Sequence, residues 1–151
     1  MANEIRTKDV AEAAFTTTMA SLAAAACRSS AAITNTNDQP AALISVTVYS
    51  GTAPTAGGCY TIYLLRDTGT IATDGWGGTD AAFTPVNAPI LGTLVVTNDA
   101  NTAFSDIFDT SRFGPLGPTF GIAIENNTDQ SVHATEGNSV EYYNYYVPEV
   151  Q

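Results

Sequence analysis

Positive charge is scarce in this 151-residue chain, where five Lys and Arg stand against fifteen Asp and Glu for a net charge of −10. The cations Arg6, Lys8, Arg28, Arg66 and Arg112 are scattered. Nucleic-acid binding needs a clustered basic patch to displace counterions, so no nucleic-acid partner is expected. The same deficit argues against an anionic membrane surface. No apolar run approaches the ~20 residues of a membrane span, and the opening Met1–Lys8 lacks the apolar block of a signal peptide. The chain is therefore expected to be made in a cytosol and to stay there unless carried out. One His and two distant cysteines, Cys27 and Cys59, cannot build a closed zinc site, and no cofactor is expected. Two cysteines without a secretion signal are more often free thiols than a disulfide. Only 13% of residues are charged, against roughly 25% in a typical domain. Thr, Asn, Ser, Gly and Ala must therefore cover much of the surface, which suits packing against neighbours.

What is present is a repeated period-2 pattern from Ala41 onward, punctuated by turn residues at the spacing of an all-β sandwich. Ile44, Val46 and Val48 alternate with Leu43, Ser45, Thr47 and Tyr49. The small, glycine-rich stretch 50–58 must loop back, making Tyr60 to Arg66 the returning strand. Asp67-Thr68-Gly69 carries turn chemistry. Ile90 to Thr97 and Phe104 to Asp109 follow as strands, and Phe120, Ile122 and Ile124 alternate with Gly121, Ala123 and Glu125 as a strand with one solvent-facing side. Ser131 to Thr135 and Val140 to Val147 complete the set. The expected fold is a single antiparallel β-sandwich over residues 20–151, preceded by an N-terminal arm over 1–19.

Two readings of the first 40 residues compete. Asp9 with Glu12 looks like a capping box, and the Ala-rich stretch to Ala26 favours helix. Thr16, Thr17 and Thr18 favour an extended chain, and we lean to an arm to about Met19 followed by a strand of small residues through Ile33.

Candidate chemistry is thin. Asp67-Thr68-Gly69 matches the tripeptide of aspartic proteases, in which two carboxylates share a proton, and Pro89-Ile90-Leu91-Gly92 faintly resembles their second glycine motif. Arg66, however, stands where those families place apolar residues, and the tripeptide is what a turn needs in any case. Asp129, Ser131 and His133 would share one strand face, but residues two apart lie about 6.5–7 Å from each other, too far for a ready relay. Asp67, Asp74 and Asp80 bracket a glycine-rich loop of the kind that can hold calcium, without regular ligand spacing. Asn126-Asn127-Thr128 fits a glycosylation acceptor and reads as a turn in the absence of a secretory route. No catalytic residue is assigned.

Aromatics say more. Tyr142 and Tyr146 alternate with Tyr143 and Tyr145, putting tyrosine on both faces of one strand. Edge-strand tyrosine and an interface both account for this. Trp76 in its glycine loop is a sugar platform, a contact residue or a plug over the sandwich end. Arg6 and Lys8 supply two of the five cations, so the arm could reach across an acidic neighbour.

The succession Leu43-Ile44-Ser45-Val46-Thr47-Val48, Tyr60-Thr61-Ile62-Tyr63-Leu64-Leu65-Arg66-Asp67-Thr68-Gly69, Thr73-Asp74-Gly75, Ile90-Leu91-Gly92, Phe113-Gly114-Pro115 and Gly121-Ile122-Ala123-Ile124-Glu125-Asn126 resembles small virion proteins of tailed bacteriophages. Among these are capsid decoration, or cement, proteins such as those of cyanophages. The resemblance covers about residues 20 to 147. It implies a jelly-roll-like sandwich that binds the outside of a capsid as a homo-oligomer, with the major capsid protein as partner, the virion as location and the host bacterial cytoplasm as the place of synthesis. It transfers no site residue. The expected contact residues are therefore Tyr142, Tyr143, Tyr145, Tyr146, Trp76, Arg6 and Lys8. The rivals are a carbohydrate- or receptor-binding tail or fibre module and, more remotely, an aspartic protease.

Overall fold

Alternation is clearest from Leu43 to Tyr49, where Ile44, Val46 and Val48 are completely buried and the residues between them are half-exposed. Such a segment can satisfy its backbone and its apolar side chains together only as a strand with one face on a core. In the computed structural model, which describes residues 5–8, 13–36, 39–135, 139–143 and 147–150, the regular structure is almost wholly strand. The strands are β1 (Ile5–Lys8), β2 (Ala13–Ala14), β3 (Cys27–Ser29), β4 (Ile33–Thr34), β5 (Leu43–Tyr49), β6 (Cys59–Asp67), β7 (Ala81–Ala82), β8 (Ile90–Val95), β9 (Ala103–Asp109), β10 (Thr119–Asn127), β11 (Ser139–Tyr143) and β12 (Val147–Val150). Single 3-10 turns lie at Thr73–Gly75 and Ser111–Phe113.

All pairings are antiparallel. One sheet runs β7-β3-β10-β6-β8, with β4 also paired to β10; a second runs β2-β11-β5-β9; β1 and β12 form a separate two-stranded ribbon. Ile44, Val46 and Val48 of one sheet and Ile62, Leu64, Ile122 and Ile124 of the other share a single core, giving the all-β, sandwich-like fold expected. Each of these side chains contributes about 1.5–3 kcal/mol by leaving water.

Several local expectations differ from the structure. Phe15 and Met19 belong to the core, Phe15 packing edge-on against Phe120 with ring centroids 5.9 Å apart, so the core reaches into the segment expected as the arm. The capping-box pair Asp9 and Glu12 lies outside the described residues. The strand expected through Ile33 is broken: Ser21 and Ala25 have φ of +58° and +59°, and only β3 and β4 pair. Ser131 to Thr135 contributes a single bridge, Val132 to Ser50. The last strand is two, β11 and β12. Most consequentially, β10 is buried on both faces. Trp76, Leu65 and Ala123 form a second small cluster on the side expected to meet solvent.

Candidate functional site

The residues singled out for chemistry are dispersed, and each meets a structural partner. Asp67 Oδ1 accepts the Gly69 N–H at 2.7 Å, and Gly69 has φ of +83°, a backbone that glycine adopts without strain. Asp67 bridges to Ala72, so the tripeptide forms a turn. Asp74 accepts the N–H groups of Val86, Asn87 and Ala88, each at 2.8 Å. Burial works against its charge, but these bonds outweigh it and hold the carboxyl below the ordinary range. Asp80 pairs with Arg28 and accepts Thr18 Oγ1 at 2.6 Å. There too burial opposes ionisation, and the Arg28 bond, helped by Thr18, lowers the pKa. The three carboxylates do not converge, and among the described residues no three metal-ligating side chains gather.

Asp129 accepts the Thr55 N–H and Oγ1 at 2.9 and 2.7 Å, which keeps its carboxyl low, while His133 Nδ1 accepts the Thr135 N–H at 3.1 Å. The Asp, Ser and His are thus not drawn into a relay. Asn126 is fully buried and its amide donates to the Leu22 and Gln130 carbonyls at 3.0 and 2.8 Å, which leaves no access for a glycan.

Both cysteines are free thiols. Cys27 stands opposite Glu125 and Cys59 opposite Asn127, on strands that flank β10. Two strand spacings of about 4.8 Å exceed the ~7 Å that a disulfide can bridge. Burial, and then the Glu125 charge, push the Cys27 thiol up to about 12. The Tyr63 hydroxyl donates to Glu125 Oε2 at 2.7 Å, and burial followed by that bond raises its pKa as well.

Of the expected contact residues, Trp76 is only 4% exposed. Its ring packs against the strand at Gly121, where a Cβ would come 2.5 Å from Cζ2, and its Nε1 donates to the Ser30 carbonyl at 3.2 Å. It is a plug over the outer face of β10, and stacking on a ligand is closed to it. Arg6 stands opposite Glu149 and Lys8 opposite Val147 in the ribbon. Tyr142 is in register with Ile44 and Tyr143 with Leu43, whereas Tyr145 and Tyr146 lie outside the described residues.

Two surfaces remain. A basin of about 480 Å³ opens at the Asp67 end, bordered by Arg66, Ile71, Asp74, Asn87 and Leu116 and by no aromatic ring. Arg66 is held there by the Phe113 carbonyl at 2.7 Å. The other surface is the outward face of β5 and β9, where Leu43 pairs with Asp109, Ser45 with Ile107, Thr47 with Ser105 and Tyr49 with Ala103. Thr47 and Ser105 share a hydroxyl hydrogen bond at 2.9 Å, and Ile107 is 59% exposed. The tyrosine pattern drew attention to the neighbouring β11 and missed Ile107. The alternation of Ser105, Ile107 and Asp109 with Phe104 and Phe108 carried the signal. In comparisons with known proteins, the chain matches no family model, no curated protein and no solved structure.

Proposed function

We propose that this chain is a structural virion protein, a jelly-roll-like sandwich that binds the outer surface of a tailed-phage capsid and reinforces the shell. The observation that carries this reading is the face of β5 and β9: eight paired outward positions hold one carboxylate, Asp109, in a chain of net charge −10. Docking there desolvates little charge, and Ile107 supplies an apolar anchor. Tyr143 is in register with Leu43 on the neighbouring β11. A binding role without catalysis is supported by Asp67, Asp74, Asp80, Asp129 and His133, each of which is engaged in a local structural contact. The test is addition of the purified protein to undecorated capsids of the virus that encodes it, followed by sedimentation. Stoichiometric binding, lost in Ile107→Lys and weakened in Tyr143→Ser, is expected. Failure to bind, or binding indifferent to Ile107→Lys, overturns the reading.

A further inference from the structure

Among the described residues, strand β8 closes one side of its sheet and pairs only with β6. Natural edge strands are normally blunted by a charge, a proline or a bulge aimed at the open side. From Ile90 to Val95 the sequence is Ile-Leu-Gly-Thr-Leu-Val, with neither charge nor proline. The register irregularity lies at its start, between Ile62 and Tyr63 of β6, and leaves Gly92 to Val95 regular. Val95 is 63% and Ile90 51% exposed.

The hydrogen-bond phase shows which groups are open. The Val96 N–H donates to the Gly58 carbonyl at 2.9 Å, so Val96, and by alternation Leu94 and Gly92, direct their backbone groups at β6. Those of Thr93 and Val95 point the other way, and outside the ladder no backbone bond among the described residues reaches them. Leu91 is the extra residue at the register shift, and its carbonyl is already taken by the Arg112 guanidinium.

We infer that the β8 edge pairs with the β8 edge of a second copy of this chain, antiparallel about a two-fold axis at Leu94. The segment is complementary to itself in that register: Thr93 of one copy meets Val95 of the other, and the four outward N–H and C=O pairs exchange four hydrogen bonds. Two copies of net charge −10 approach at lower cost along uncharged β8 than along β9, the other edge strand of the two larger sheets longer than two residues, which carries Asp106 and Asp109. Arg112, bound to the Leu91 carbonyl beside the paired segment, places one of the five cations at this edge.

The pairing concerns the free protein and is independent of shell binding. Sedimentation equilibrium of the full chain reads it directly. The unmodified protein is expected at twice the chain mass. Val95→Lys, which adds a charge at an exposed position, and Thr93→Pro, which deletes an outward N–H that β6 does not use, are both expected at the mass of one chain with unchanged circular dichroism. Val86→Lys, at an equally exposed residue on another surface (75%), is expected to remain a dimer. A monomeric unmodified protein at millimolar concentration, a dimer that survives Val95→Lys, or a dimer lost equally in Val86→Lys overturns the inference.

Discussion

The two faces of β10 are covered by different means. Inward, Phe120, Ile122 and Ile124 meet aliphatic side chains delivered by another sheet. Outward, Gly121 and Ala123 are small, and the layer over them centres on one large ring, Trp76, supplied by a loop. That loop is held by ionised carboxylates: Asp74 gathers the amides of residues 86–88, and Asp80 ties to Arg28 on β3. The inner layer is sustained by burial, which is indifferent to protonation. The outer layer depends on groups that titrate.

The largest effect that should separate them is Leu64→Ala in the inner layer. It removes a fully buried side chain, and a loss of about 2–5 kcal/mol in urea titration is expected, with tryptophan emission and circular dichroism changing together. Gly121→Ala strikes the outer layer alone. Its Cβ would sit 2.5 Å from Trp76 Cζ2 and 2.8 Å from Ser30 Oγ, so about 1–3 kcal/mol of overpacking strain is expected, with red-shifted emission as the ring is displaced. An unshifted spectrum with unchanged stability would collapse the distinction. The smallest effect is that of acid. Because the Asp74 and Asp80 carboxyls lie below their ordinary value of 3.8, the opened chain takes up protons first as the pH falls. Their contribution is complete above about pH 4–5 and is lost below it. Tryptophan emission should change at a higher pH than circular dichroism, and coincident transitions would show that the layers are not separately sustained.

The inner layer was legible in the sequence, since the alternation in β5, β6 and β10 is a local property that each strand displays by itself. The outer layer was not. Gly121 and Ala123 look like a solvent-facing row until the ring they accommodate is identified, and that ring comes from a distant loop which no periodicity links to β10. A glycine within a strand does signal close approach, but it leaves the visitor unnamed. The Ala-rich segment before Cys27 was obscure for a related reason. Methyl side chains impose too little to choose between helix, strand and the turns at Ser21 and Ala25. On the candidate surface, the tyrosines stood out by type, whereas Ile107 was marked only by its alternation with Phe104 and Phe108, and its place beside Ser45 on an outward face is a tertiary fact.

The pairing of first and last strands bears on how the molecule is made. β2 is completed by β11 and β1 by β12, while β3 awaits β10 and β5 takes β11 on one flank. A nascent chain emerging from the ribosome therefore exposes Phe15 until Phe120 has followed it, and the open flanks of β1 and β2 until β11 and β12 have. Contacts so distant along the chain are slow to close, and the interval leaves strand edges open to other growing chains. The vulnerable period for this domain is thus its synthesis, and the C-terminal strands end it.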